Sequence, residues 1–431
     1  MKEKTKIEGE RKFYGYKVAV ACFIIMFACY GSSSTFAILL PEFAKDCNVS
    51  IAVTGYMATF FGIGGVIGNF AAGKLFKLLS VKRAVLIGVI VIVIGYVIYA
   101  MTVEIWHAYI GAVLLGFGAG LCALSGCAAL IQEWFFDFRE KIIGISFAGA
   151  GCGAAVCMFL CGQVIEATDR STACWMMVAI CGIIGIPIAL FMIKDPQDLG
   201  QKALGWEKEE ALMKKANTTE EVGISFKEAI RKPIFYVVFI ATLIVGMLML
   251  GFETYMPAYW QEYGVSVSSS ATYLTIYYLI GSVMTMISGQ IAQRVSVKVY
   301  IIYINVAFMI GAVFCVMWPS YQSIAFTALI IIFMSIAYPL FSSVPATITT
   351  QTFGNKDYAT ICSIFNGSQL GGSIVYPIVI GWCITGFGTM VAAYVFLIIS
   401  SVAAILLILV ALIASPYKKM LRSLNTNKSI S

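Results

Sequence analysis

The sequence predicts an all-α membrane protein of twelve transmembrane helices, built as two pseudo-symmetric six-helix bundles. Three observations carry this. The first is composition. The chain is 60% hydrophobic and only 12% charged, whereas charged residues make up about a quarter of a soluble domain. The apolar residues fall in runs of roughly 20, the length a helix needs to cross a hydrocarbon core of ~30 Å, and not in the short alternating segments of a barrel. The second is a repeat. Gly73-Lys-Leu-Phe-Lys-Leu-Leu-Ser-Val-Lys82 returns as Gly289-Gln-Ile-Ala-Gln-Arg-Val-Ser-Val-Lys298, 216 residues later in a chain of 431. Self-similarity at half the chain length means two related halves. The third is the placement of lysine and arginine, taken up after the spans.

The first half gives predicted spans at Tyr16–Leu39, Ile51–Ala72, Ala84–Met101, Trp106–Ile131, Ile142–Ile165 and Thr172–Ile193. The second gives Ile234–Tyr255, Ala271–Ile291, Val299–Met317, Tyr321–Ile348, Tyr358–Trp382 and Thr389–Ala414. Each is an apolar run near or above the spanning length. The expected organisation is a first half over 1–193, a linker over 194–232 and a second half with its tail over 233–431. The linker Lys194–Lys232 is the one long polar segment, with charges of both signs. Within it, Ser225-Phe-Lys-Glu228 has the form of a capping box and starts a short helix toward Pro233; the alternative is a plain connector.

With both termini on one side, every lysine and arginine except Lys45 and Arg170 falls on that side. The positive-inside rule then makes it cytoplasmic. The charged stretch Met1–Lys12 precedes a run long enough to remain as a span, so no cleavable leader is expected. The expected location is a plasma membrane, of the bacterial inner-membrane kind. Asn48-Val-Ser50 is a formal glycosylation sequon, relevant only in a secretory pathway.

The duplication reaches further. Pro41 returns as Pro257, and Val49-Ser50 as Val265-Ser266, again 216 apart. In the fifth and eleventh spans, Phe147, Gly149 and Gly153 return as Phe365, Gly367 and Gly371 at an offset of 218. Six spans restore the chain to its original side, so the halves run parallel. Parallel halves about an axis along the membrane normal are an established transporter plan, with the site between them.

Here the chain resembles the major facilitator superfamily. Gly73, Lys82 and Arg83 match the family's pattern between helices two and three, Gly-x-x-x-Asp-x-x-Gly-x-[Arg/Lys]-[Arg/Lys]. Lys77 stands in the place of the acid, Ser80 in that of the later glycine, and the second copy has Gln293 where the acid belongs. The acid's gating role therefore does not transfer to Lys77. Gly73, Lys77, Lys82, Arg83, Gly289, Arg294 and Lys298 mark the expected gate turns. More narrowly, the chain resembles the oxalate/formate-antiporter-like and monocarboxylate-transporter-like branch. The residues that carry this are Phe13-Tyr-Gly-Tyr16, Gln132-Glu-Trp-Phe135 leading to Arg139, Gly144 with the Gly149/Gly151/Gly153 run, and Pro196-Gln-Asp-Leu-Gly200. The branch implies a mono- or dicarboxylate substrate. Its carriers place basic residues in helices eight and eleven, and the corresponding spans here contain none. The fourth span also lacks the arginine of proton-coupled drug exporters and carries Gly116, Gly118 and Gly120 instead.

Polar residues within spans are costly and mark candidates for function. Asn366, Gln369, Ser373 and Tyr376 are spaced 3, 4 and 3 apart and share one face of the eleventh span. They are read as lining a polar cavity, against the alternative of interhelical hydrogen bonding. Glu253 is the one acid predicted inside a span and the candidate for carrying a proton or cation. Counting from Ile234 puts it near the far interface, where a hydrated glutamate is the alternative. Tyr277 and Tyr278, Tyr30 with Ser32, Ser33 and Ser34, and more weakly Tyr56 and Ser125, offer rings with polar tips for a small organic molecule. Of the adjacent pair Tyr277/Tyr278, at least one is expected to pack. Asn69 and Asn305 read as structural.

The thirteen cysteines have no metal or redox spacing, His107 stands alone beside Trp106, and the glycine tracts have no P-loop form. No cofactor, nucleic acid or enzymatic chemistry is expected. The expected function is secondary transport of a small organic solute, with protons or a counter-transported anion as coupling partners. The alternatives are a neutral or cationic metabolite as cargo, a non-transporting sensor of the same fold, and a membrane-embedded enzyme.

Overall fold

A computed structural model describes residues 13–49, 51–207, 210, 223–265, 267–387 and 391–426. The charged stretch before residue 13, the sequon's Ser50, the repeated Ser266 and the middle of the linker lie outside these residues.

Among the described residues, twelve long helices follow in chain order. The first six are α1 Gly15–Leu40, α2 Ile51–Leu79, α3 Val81–Ala100, α4 Ile105–Trp134, α5 Arg139–Ala167 and α6 Arg170–Met192. The last six are α7 Pro233–Glu262, α8 Val267–Arg294, α9 Val297–Tyr321, α10 Ile324–Ser342, α11 Tyr358–Phe387 and α12 Val391–Ile413. α10 continues past a break as Val344–Phe353. In lipid only a helix or a closed barrel satisfies its own backbone, so apolar runs of this length become helices.

Several elements differ from the sequence reading. The Gly73–Lys82 tract is mostly helix and not a turn. α2 runs to Leu79, and the reversal is the single residue Ser80 at φ 77°. In the same way Gly289 and Arg294 belong to α8. The predicted tenth span, Tyr321–Ile348, is interrupted. Pro339 and Pro345 each lack an N–H, and the helix breaks between them at Ser343. Its counterpart 216 residues earlier is a wide helical turn, Ala123–Cys127, in α4. A second wide turn, Met26–Tyr30, bends α1. His107 lies in the first turn of α4, where its Nδ1 accepts from the Glu104 N–H at 3.3 Å.

The halves meet along two seams, α2 with α11 and α5 with α8. Small residues let the backbones touch. A Cβ on Gly73 would sit 2.9 Å from Thr360 Cα, and one on Gly289 would sit 2.6 Å from the Glu140 carbonyl. The two repeated glycines are therefore equivalent crossing points, one on each seam. Further along, Gly367 meets Asn69 and Phe70, Gly65 meets Leu370 and Gly62 meets Ser373. On the other seam Gly144 meets Thr285, and Gly151 meets Tyr278 and Ser282. There the close approaches stop. Gly55 on α2 and Gly162 on α5 have no heavy atom within 4 Å of an added Cβ. The seams are closed at the end carrying the basic turns (the basic end) and part toward the other (the far end).

Polar contacts reinforce the basic end. Lys77 Nζ lies 2.6 Å from Asp357 Oδ1, and Arg139 Nη1 donates to Asn355 Oδ1 at 2.9 Å. Each joins one half to the other. Deeper in the α2–α11 seam, Ser125 donates to Asn69 Oδ1 at 2.5 Å and accepts from Asn366 Nδ2 at 3.0 Å. At the far end the buried Arg170 donates to Asp46, Tyr99 O and Thr102 O, which ties α6 to α1 and α3.

The linker's ends dress equivalent turns. Leu204 exchanges backbone hydrogen bonds with the Trp134–Asp137 turn before α5. Ile224 donates to Phe353 O in the turn before α11. Ser225 caps the helix Phe226–Ala229 by accepting from Glu228 N at 3.3 Å, as the capping-box pattern predicts, and Phe226 N donates to Asp357 Oδ2.

Two outcomes follow from the seams. Gly144→Leu would place its Cβ 2.8 Å from Thr285 O, so overpacking should cost about 1–3 kcal/mol, read by denaturant titration in detergent. Ser125→Ala strands Asn69 and Asn366 and should cost about 1–2 kcal/mol by the same measurement, the scale of interhelical hydrogen bonds in lipid.

Candidate functional site

One cluster of polar side chains sits between the bundles at the depth where the seams part. Glu253 on α7 accepts from Tyr277 Oη at 2.9 Å and Tyr278 Oη at 3.4 Å. Tyr30 of α1 and Tyr338 of α10 lie within electrostatic reach of the same carboxylate. The rings pack on one another, Tyr277 against Tyr278 at 5.1 Å, Tyr277 against Tyr338 at 5.6 Å and Tyr278 against Tyr338 at 6.1 Å. Tyr30 packs on Phe341 of α10 at 6.1 Å, across the interface between the halves. Tyr277, Tyr278 and Tyr338 are buried, while Glu253 and Tyr30 keep part of their surface open.

Local backbone places each group. The wide turn in α1 ends on Tyr30. Just beyond it, Ser32, Ser33 and Thr35 return their hydroxyls to backbone carbonyls of their own helix, a pattern that bends helices. This leaves Ser34 within reach of the Tyr278 hydroxyl. Gly281 admits the Tyr338 ring, since a Cβ there would lie 2.8 Å from it. Ser335 donates to Tyr277 O at 3.1 Å and fixes α10 to α8.

Tyr277 and Tyr278 are both buried and packed, and the hydroxyls of both reach the same carboxylate. Glu253 lies nine residues from the end of α7 and faces Tyr277, ten residues into α8. α7 is 30 residues long, more than a bilayer core requires.

The polar face of α11 is packed. Asn366 belongs to the Asn69–Ser125 contact. Gln369 is fully buried and donates to Phe341 O at 3.0 Å and to Leu340 O at 3.4 Å. The N–H that would serve Phe341 O within a regular helix is that of residue 345, a proline. Gln369 therefore supplies the donor that Pro345 lacks. Ser373 donates to Leu370 O, and Tyr376 lies buried against Tyr255 and Gly251. Ser33 returns its hydroxyl to Cys29 O, and Tyr56 is exposed on α2. The gate residues lie together at the basic end, where Lys77 has its acid partner and Arg83 and Arg294 are exposed.

Tyr338 and Asp357 escaped the sequence reading. The signal for the first was a Tyr-Pro pair in the middle of an apolar run. The signal for the second was a lone acid in the turn opposite Lys77. Among the described residues, no group of three or more His, Cys, Asp or Glu side chains is placed to hold a metal ion.

The geometry matches known transporters. The profile of the Major Facilitator Superfamily matches residues 22–369. A hexuronate transporter of Bacillus subtilis is 22% identical over 275 residues, 62% of this chain and 62% of its own. An uncharacterized transporter of Saccharomyces cerevisiae, ESBP6, is 22% identical over 189 residues, 42% of this chain and 28% of its own. These alignments span less than two thirds of either relative. Among solved structures, the proton:xylose symporter XylE superposes with TM-score 0.70 at 14% identity, covering 91% of this chain and 94% of that one. The transporter FucP in the outward conformation gives 0.66 at 16%, covering 92% and 99%. The human organic anion transporter MFSD10 gives 0.66 at 12%, covering 91% and 99%. At these identities the likeness is one of fold. The family profile covers most of the chain and decides the rest: this protein belongs to the major facilitator superfamily.

Proposed function

We propose that the protein moves a small organic solute by alternating access, with the halves 1–193 and 233–431 rocking about the Glu253–tyrosine cluster and 194–232 joining them. One observation carries this: both seams are tight from the basic end to mid-depth and release there, next to that cluster. The arrangement is that of a carrier sealed on one side. The positive-inside rule makes the sealed side cytoplasmic, with both termini there and the cluster reached from outside. A plasma membrane suits that orientation.

Glu253, Tyr30, Tyr277, Tyr278 and Ser34 form the core of the proposed site. Asn366, Gln369 and Ser125 shape it indirectly, by holding α11 against α4 and α10. Glu253 lies between the bundles beside the point where the seams part, which makes it the natural place for a proton or cation to be exchanged during the cycle. The carboxylate class implied by the branch resemblance fits less well. Among the described residues, every Lys, Arg and His of the twelve helices lies near a helix end, and a carboxylate seated here would face Glu253 without a positive partner. A neutral or cationic solute suits the site better.

Spin labels test the rocking directly. Leu78 and Val299 are exposed at the basic end, and Val103 and Ile324 at the far end. Each pair should show two distance populations, anticorrelated between ends; a single population at both would sink alternating access. Lys77→Glu sets a carboxylate against Asp357 and should move the basic-end pair toward the longer distance by about fivefold in population, the upper range for an exposed ion pair. Lys77→Arg should leave it unchanged.

A further inference from the structure

We propose that the solute taken at Glu253 is an organic cation, an alkylammonium or quaternary ammonium group seated between the Glu253 carboxylate and the Tyr30 ring. This rests on the transport reading of the same site and adds the charge of the cargo.

Charge is the first support. Glu253 is the only Asp, Glu, Lys, Arg or His away from a helix end within the twelve helices, among the described residues. The ionisable groups facing it are phenols: Tyr30 from α1, Tyr277 and Tyr278 from α8, and Tyr338 from α10. Cys152 of α5 stands behind Tyr338. None is basic. A cationic cargo would therefore neutralise this carboxylate, and an anionic cargo would set a second negative charge beside it.

Hydrogen-bond capacity is the second. A carboxylate offers about four lone-pair sites. The two tyrosine hydroxyls use one on each oxygen. The remaining lone-pair sites are acceptors. Tyr277 and Tyr278 contact the carboxylate, Tyr338 packs on both, and Tyr30 lies within its electrostatic reach, so the acid is set among aromatic rings. Aromatic faces attract ammonium groups through the ring quadrupole, most strongly where water is excluded, and quaternary ammonium recognition by aromatic cages is the familiar use. Tyr30 is the ring placed for this, since the wide turn in α1 leaves part of its surface open while the other tyrosines are buried.

The test uses the purified full-length chain in nanodiscs and three probes of one shape: choline, the neutral 3,3-dimethyl-1-butanol and the anionic 3,3-dimethylbutanoate. Choline should bind about tenfold or more tighter than the other two. Glu253→Gln should remove that preference while Glu253→Asp keeps part of it. Tyr30→Ala should weaken choline more than the alcohol, and Tyr30→Phe should bind choline like the parent. Equal affinity for choline and the alcohol, tighter binding of the anion, no binding of any probe, or indifference of choline to Glu253→Gln would each overturn the proposal. The spin-label distances, measured on the same samples, show that each variant is folded and separate the two readings. Two populations with the wrong charge preference reject the cation alone, whereas a single population rejects the transport reading beneath it.

Discussion

The structure depends on backbone touching backbone at glycine. Inside a bilayer, apolar side chains gain little by leaving lipid for one another, so helices associate through close packing and shared polar contacts. Gly73, Gly289, Gly144 and Gly151 supply that closeness along two crossing seams. Everything else is arranged around where the glycines make contact and where they stop. The Lys77–Asp357 and Arg139–Asn355 contacts lie at the closed basic end. The Glu253 cluster lies where they release.

The sequence made the architecture legible because two periodicities were strong. Apolar runs of spanning length gave the helices, and the 216-residue offset gave the halves. The repeated tract identified its glycines without explaining them, since contact between α2 and α11 or between α5 and α8 is not encoded in spacing. The polar stripe on α11 was legible as a stripe. Its use was not, because periodicity tells which residues share a face and not what that face meets. Gln369 illustrates the point: its partner is a carbonyl left free by Pro345, a proline in another helix. Glu253 was legible as an outlier, but its pairing with the Tyr277 and Tyr278 hydroxyls was not, because spacing within α7 says nothing of which face of α8 it meets.

Sign is the recurrent departure in this chain. Where the family's loop pattern has an acid, Lys77 appears, and its partner across the interface is the acid Asp357. Where the resembling branch holds its anions with basic residues in helices eight and eleven, tyrosines and packed amides stand, and the charged side chain beside them is the acid Glu253. Both changes leave the two-bundle fold intact. They change which charges close the basic end and, under the transport function proposed above, which cargo the interior would hold without an unpaired ion.

The linker's attachments carry a consequence for how the halves are aligned. Leu204 is bonded to the turn before α5, and Ile224 to the equivalent turn before α11. Each attachment is internal to its own half, so neither depends on the peptide bonds that run between Glu207 and Gly223. Registration of the two bundles resides in the seams. The protein is in this sense a covalently tethered heterodimer: two separately encoded fragments, divided within that stretch, would each keep a dressed turn and a complete set of seam surfaces with which to find the other.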